Sequence, residues 1–391
     1  MKKNVRQLLM IPGPTNVPVE VLLAGAKPMI NHRSKDFKIV FEYIIKSVQK
    51  LFQTKNDVFM LTSSGTGAME ACVSNIVQPG DKILGATIGN FGNRFAKIAE
   101  TFGADVEKLS FEKGKAIDTK VLKDRLAKDT KKEIKAVLFQ QNETSTGVLN
   151  DVKAVAEVIK AHGALVVVDA ISGFLAADLK VDDWGLDMVA AGSQKAFMVP
   201  PGLAFVSVSK KAWDVIEKTK ATSFYFNLKT AKEFAPDGET PWTPAVSTAF
   251  SMQAALKILE EEGMESMFER HLWLRNAVRA GVKALGFKLF VEDDKYASPA
   301  VTAIIPAEGI DVEKFRSHVR TNYDVILAAG QSELKGKIFR IGHLGYTDQK
   351  DILVTFAAME MSLKEMGYKV ELGKSVAAVQ EALMSKVKVP V

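Results

Sequence analysis

A lysine that follows an apolar strand candidate and precedes a Pro-Pro-Gly turn stands out in Ala190-Ala191-Gly192-Ser193-Gln194-Lys195-Ala196-Phe197-Met198-Val199-Pro200-Pro201-Gly202. Open α/β sheets bind ligands at the carboxyl ends of their strands, so an amine placed there faces a crevice. Desolvation lowers the pKa of such an amine and makes it a nucleophile suited to Schiff-base formation with a carbonyl compound. Taken alone, a lysine in a loop is more often simply solvated.

Two further elements change its meaning. Leu165-Val166-Val167-Val168-Asp169-Ala170 ends a nearly all-apolar strand candidate with a carboxylate, one strand-helix-strand step before Lys195. A carboxylate so placed can hold a pyridine-type ring nitrogen protonated and turn the ring into an electron sink; the simpler reading of Asp169 is a helix cap. Thr62-Ser63-Ser64-Gly65-Thr66-Gly67-Ala68-Met69-Glu70 is a hydroxyl- and glycine-rich turn between a strand and a helix. Its amides and the helix dipole make an anion site, with hydroxyls as extra donors for a phosphate. The turn lacks the P-loop lysine and is not the dinucleotide fingerprint, which disfavours mononucleotide and nicotinamide binding.

These residues need a rigid frame, and the pattern supplies one. From about residue 56 to 210 short apolar runs alternate with amphipathic segments, the mark of a mostly parallel sheet covered by helices. Strands are expected at 58–62, 82–84, 105–109, 136–139, 165–168, 188–191 and 203–208, and helices at 68–77, 94–102 and 152–161. Long helices follow over 247–262 and 264–285, broken at Gly263. Strands at 288–291, 300–305 and 338–341 and helices near 312–320, 349–366 and 375–387 then suggest a smaller α+β unit. The expected division is an N-terminal segment over 1–20, a large α/β domain over 21–262 and a small domain over 263–391.

A chain of 391 residues exceeds one compact core. With 47% hydrophobic and 25% charged residues it has the composition of a globular protein. The net charge of +6 is scattered and not gathered into a basic block, which speaks against nucleic acid. The single Cys72 excludes an internal disulfide and a thiol metal cluster. None of the five histidines pairs with another at metal-ligand spacing, so His162 and His343 read as structural and no metal is expected. The basic start Met1 to Gln7 and the short apolar run Leu8 to Pro12 do not make a signal sequence or a membrane span, so a cytoplasmic protein is expected.

In order and spacing these elements resemble the class V aminotransferases of pyridoxal-phosphate fold type I. The likeness is greatest to the alanine–glyoxylate and serine–glyoxylate (serine–pyruvate) branch, through Pro12-Gly13-Pro14-Thr15, Glu143-Thr144-Ser145-Thr146-Gly147 and Gly192-Ser193-Gln194-Lys195-Ala196. The resemblance implies a seven-stranded sheet in the large domain and pyridoxal 5'-phosphate as cofactor. It implies that Lys195 forms the Schiff base, that Asp169 meets the ring nitrogen, and that Ser64, Gly65, Thr66 and Gln194 hold the phosphate. Thr144 would approach the phenolic oxygen, and Phe91, otherwise a core phenylalanine, would stack on the ring. Thr243 would reach the phosphate of a neighbouring subunit in a homodimer, whereas Thr240 stands where some relatives carry a tyrosine. Gly13 and Arg340 would bind substrate, the guanidinium gripping a carboxylate in a two-pronged way; alone, Arg340 reads as a surface ion-pair partner.

The activity so implied is a ping-pong transfer of an amino group from serine or alanine to glyoxylate or pyruvate. Aspartate or a broad donor range is the alternative within the class, with Arg33 of the loop Asn31-His32-Arg33-Ser34 as the one candidate for a second cation. A non-catalytic complex subunit retaining the fold is the alternative outside it, since one branch of the family has been described as a hydrogenase subunit.

Overall fold

The computed structural model describes residues 7–385. The basic start Met1–Arg6 and residues 386–391, with the end of the helix expected to Val387, lie outside the described residues. The strands are β1 (Leu8–Met10), β2 (Asp57–Leu61), β3 (Lys82–Thr87), β4 (Asp105–Ser110), β5 (Ile134–Gln140), β6 (Asn142–Glu143), β7 (Val148–Leu149), β8 (Leu165–Asp169), β9 (Met188–Gly192), β10 (Ala204–Val208), β11 (Lys288–Leu289), β12 (Val301–Ile305), β13 (Val325–Ala329) and β14 (Phe339–Gly342). The helices are α1 (Val19–Gly25), α2 (Lys35–Leu51), α3 (Gly65–Ser74), α4 (Asn90–Thr101), α5 (Thr119–Ala127), α6 (Val152–His162), α7 (Val181–Trp184), α8 (Lys210–Ile216), α9 (Leu228–Phe234), α10 (Val246–Glu262), α11 (Met264–Ala284), α12 (Val312–Tyr323), α13 (Gln349–Glu365) and α14 (Lys374–Met384).

As expected, a large domain holds a mostly parallel seven-stranded sheet, in the order β2-β10-β9-β8-β5-β3-β4, and a smaller C-terminal α+β domain accompanies it. Only β10 runs antiparallel to its neighbours. All five residues of β8 are buried, the burial on both faces that a central parallel strand demands and that its run of valines satisfies. Its register with β9 pairs Asp169 with Ala190, so the two strands end side by side.

Helices form where apolar residues recur at three- and four-residue spacing. In α2, Phe37, Val40, Phe41, Ile44, Val48 and Leu51 are buried, and Ser34 caps the start by accepting from the Phe37 N–H at 3.3 Å. Asp151 caps α6 in the same way, and the left-handed Gly163 ends it.

The small sheet runs β1-β13-β14-β12-β11. β1 comes from the chain's start and pairs in parallel with β13, Leu8 opposite Val325. The residues after β1 then cross to the large domain, where the Thr15 N–H donates to the Gln194 carbonyl at 3.2 Å. Neither β1 nor β13 was among the strands expected, because three apolar residues, or five flanked by polar ones, carry no period of their own.

Gly281 lets α11 approach its neighbours. A Cβ there would lie 2.5 Å from the Phe356 ring and 2.7 Å from a Val379 methyl. Gly281→Ala should cost about 1–3 kcal/mol by overpacking, read as a lower urea midpoint; an unchanged midpoint would mean that the helices have slack.

Candidate active site

Lys195 leaves the end of β9 and turns back toward the start of the chain, where its ammonium donates to the Pro12 carbonyl. Gly13, with φ of +123°, makes room for it: a Cβ on Gly13 would sit 2.5 Å from Nζ and 2.8 Å from Cδ. Side-chain-bearing residues rarely adopt that φ, so glycine is required twice over. The lysine's own peptide is fixed by the Thr15 hydroxyl, which donates to the Lys195 carbonyl at 3.1 Å. Burial lowers the pKa of the amine from 10.5 to about 8; the Asp169 carboxylate opposes the fall, and Arg340 and Arg94 add to it.

Asp169 is buried and accepts the Ile171 N–H at 2.9 Å. Burial raises its pKa to about 7, with Glu143 adding to the rise and the Ile171 N–H, Lys195 and Arg94 opposing it. Amine and carboxylate therefore sense one another across the ends of adjacent strands. Beside them lies the turn that opens α3. Gly65 packs so closely on Ile171 that a Cβ would fall 2.7 Å from it, and a Cβ on Gly192 would be 3.1 Å from the Gln194 amide oxygen and 3.3 Å from the Gly65 Cα. Ser64 starts the helix without a side-chain cap, and the Gln194 Oε1 is buried with no hydrogen-bond partner.

The segment after β5 closes another side. The Thr144 hydroxyl donates to Ser172 at 2.7 Å. Glu143, fully buried, accepts from the backbone N–H of Phe91 at 3.1 Å, of Gly92 at 3.2 Å and of Ser145 at 3.0 Å, and from the Ser145 hydroxyl at 2.5 Å. Its carboxylate thus caps α4 and sets the place of Phe91, which is half-buried. The Arg94 guanidinium lies over the Phe91 ring, 4.7 Å from its centroid, with Nη1 3.4 Å from the Thr66 hydroxyl.

Arg340 reaches in from the small domain on β14. Its Nε and Nη2 donate to the Ala329 carbonyl at 3.0 and 2.8 Å, and Nη1 donates to the Thr144 carbonyl at 2.7 Å. A guanidinium has five N–H donors, so two stay free for a ligand. Burial lowers its pKa to about 10 while Glu143 opposes the shift, and the group remains charged at neutral pH.

The structure thus brings together Lys195, Asp169, Gly13, Gln194, Gly65, Thr66, Phe91, Thr144 and Arg340, with Ser64 at the exposed edge of the turn. Thr243 is exposed and lines a separate depression of about 330 Å³ with Met29, Ile30 and His32. Arg33 is paired with Glu239 and donates to the carbonyls of Thr240 at 2.9 Å and Pro241 at 3.2 Å, so in this chain its charge is already answered. Thr240 donates to the Trp242 carbonyl at 2.6 Å. His343 is held by Thr302 and the Pro299 carbonyl, and His162 by Asp129. Cys72 is buried inside α3. Among the described residues no group of acidic, histidine and cysteine side chains could hold a metal ion, and no helix is long and apolar enough to cross a membrane. Reading the sequence singled out neither Glu143 as a carboxylate nor Arg94. Only the three-residue step from Phe91 to Arg94 on one helix face could have signalled the second.

A mixed sheet with an amine, a carboxylate and an anion turn at its strand ends defines a fold type I transferase. The chain belongs to the class V aminotransferases, whose family model matches residues 12–356. It is 43% identical to the "soluble hydrogenase, small subunit" of Synechococcus sp. (strain PCC 6716), covering 93% of this chain and 94% of that one. It is 37% identical to L-aspartate–glyoxylate aminotransferase of Paracoccus denitrificans, over 95% of each, and 36% identical to serine–glyoxylate aminotransferase of Methylorubrum extorquens, over 97% and 96%. The crystal structure of ureidoglycine–glyoxylate aminotransferase from Bacillus subtilis superposes with a TM-score of 0.92 at 30% identity, covering 98% of this chain and 99% of that one.

Family membership implies a pyridoxal-phosphate site, and the residues fit one. The start of α3 has no side-chain cap and leaves backbone N–H donors for an anion, the Gln194 amide, whose NH2 group is the donor, lies close to Gly65 there, and a carboxylate and a low-pKa amine stand within reach of each other's fields.

Because the neutral amine is the nucleophile, capture of pyridoxal phosphate by the cofactor-free protein should quicken with pH and level off above about 8. Asp169→Asn should move that midpoint down, since the carboxylate's charge favours the ammonium. A midpoint near 10.5, the ordinary lysine value, would show the amine to be solvated.

Proposed function

We propose that this chain moves the amino group of a small amino acid to glyoxylate or pyruvate, with Lys195 as the amine that holds pyridoxal phosphate. The observation that carries the reading is the setting of Lys195, a buried amine just past the end of β9 on which both the Asp169 carboxylate at the end of β8 and the Arg340 guanidinium of β14 act. Serine or alanine is the first donor expected. One relative is an L-aspartate–glyoxylate aminotransferase, and a donor range that includes aspartate fits this chain better than one fixed pair.

The bound cofactor supplies an electron sink for the electrons of the broken Cα–H bond. The protein's part is positional and protonic. Asp169 would set a negative charge against the ring nitrogen, and Thr144 would serve the phenolic oxygen. Ser64, Gly65, Thr66 and Gln194 would hold the phosphate, and Phe91 would stack on the ring. The free N–H groups of Arg340 would bind the substrate carboxylate, with Gly13 leaving the room. The Lys195 amine, neutral above about pH 8, would be the base that carries the proton from Cα.

A homodimer accords with the exposed apolar residues Val19, Leu22, Leu23 and Met29, and with Phe224 and Tyr225 near the loop of Thr243. Thr243 is taken to serve the phosphate of the second subunit. A complex subunit without catalysis is the competing reading, prompted by the name of the Synechococcus relative; the retained amine, carboxylate and turn weigh against it.

Purified protein mixed with pyridoxal phosphate should turn yellow and bleach with borohydride, and serine, alanine or aspartate should each be scored for oxo-acid release in a single half-reaction. Lys195→Ala should abolish turnover, and Arg340→Ala should mainly raise KM. A protein that takes no colour and converts no donor would support the complex-subunit reading instead.

A further inference from the structure

The phosphate set read above, Ser64, Gly65, Thr66 and Gln194, contains no cation. A phosphate monoester carries about −1.5 to −2 charges at neutral pH, against roughly half a positive charge from a helix N-terminus. Helices α3 and α4 pack against each other here, and each has an N-terminus that could take an anion. That of α4 is already filled, because the Glu143 carboxylate takes the Phe91 and Gly92 N–H groups. That of α3 is open, uncapped by Ser64. Arg94 borders it, with Nη1 3.4 Å from Thr66 Oγ1. Among the described residues its guanidinium is hydrogen-bonded to no carboxylate and rests on the Phe91 ring. Arg94 is exposed, and its charge still acts on both Lys195 and Asp169.

We propose that Arg94 is a positioning residue with two roles: it supplies the missing cation at the phosphate end of the site, and it braces the Phe91 ring that lies along the cofactor. The inference rests on the cofactor reading above and names a residue that reading did not use. Arginine suits the double task, since its planar group can stack on an aromatic face and still direct N–H groups at an anion.

The test measures equilibrium binding to the cofactor-free protein of two probes, pyridoxal 5'-phosphate and pyridoxal, which lacks the phosphate. Arg94→Gln should weaken pyridoxal phosphate by about tenfold or more, a charge-assisted contact being worth roughly that much. Pyridoxal binding should change far less, and Arg94→Lys should recover most of the loss. Phe91→Leu, which removes the ring and leaves the cation, should weaken both probes alike. Equal losses of both probes in Arg94→Gln, or no loss of either, would overturn the phosphate role. A parent protein that binds neither probe would overturn the cofactor reading itself, and the inference with it.

Discussion

Taking a lysine amine and an aspartate carboxylate out of water at the ends of two neighbouring strands is the constraint on which the rest of the structure depends. Each group alone would resist its charge in that place: burial drives Lys195 down to about 8 and Asp169 up to about 7. Their mutual field opposes both shifts and leaves two groups that titrate within the neutral range, where a proton can be gained or lost at small cost. Strand register makes this durable. Asp169 lies opposite Ala190, and Lys195 sits three residues past the end of β9 in a turn that is itself pinned, the Ser193 N–H donating to the Leu203 carbonyl at 2.9 Å and the Thr15 hydroxyl to the Lys195 carbonyl at 3.1 Å, so strand register and a hydrogen-bonded turn together set the separation of the two groups.

The remaining parts of the site are brought in by chain crossings. Pro12 and Gly13 reach the lysine only because the segment after β1 passes over the end of β14, where Gly342 lies so close to Ile11 and Pro12 that no side chain could stand between them. Arg340, two residues before that glycine, enters from the same sheet and holds the Thr144 carbonyl of the large domain. The small domain thus supplies both the acceptor for the amine and the cation beside it, so loosening the contact between sheets would disturb the lysine and the arginine together.

The frame was legible where a residue's role follows from local pattern. The valine run of β8 announces a doubly buried parallel strand, and its terminal carboxylate a strand-end acid. The hydroxyl-glycine turn before α3 announces an anion site. What stayed hidden depends on contacts distant in sequence. β1 acquires strand character by pairing with β13, across more than three-quarters of the chain, and β13 by lying between β1 and β14. Glu143 is one acid among 46 acidic residues until the fold brings the start of α4 onto it. The sequence offers Arg33 as the one candidate for a second cation, and only the folded chain shows Glu239 and two carbonyls around it.

The fate of Arg33 bears on how such a site would select its donor. A cation that binds a distal carboxylate must be unanswered before the substrate arrives, since displacing an existing ion pair returns one charge for another with little net gain. Arg33 fails that condition in this chain. Arg340 has two N–H groups to spare, enough for a single carboxylate and no more. On the proposed reading, the donor's side chain is therefore selected by size and hydrogen bonding and not by a second cation. A pocket that reads side chains in this way separates serine from alanine only weakly, because a missing hydroxyl leaves no buried charge unpaired, whereas the distal carboxylate of aspartate meets no unanswered cation among these residues and has to keep its contact with water. Breadth of donor is then a consequence of where the charges are already spent, not of a loose fold.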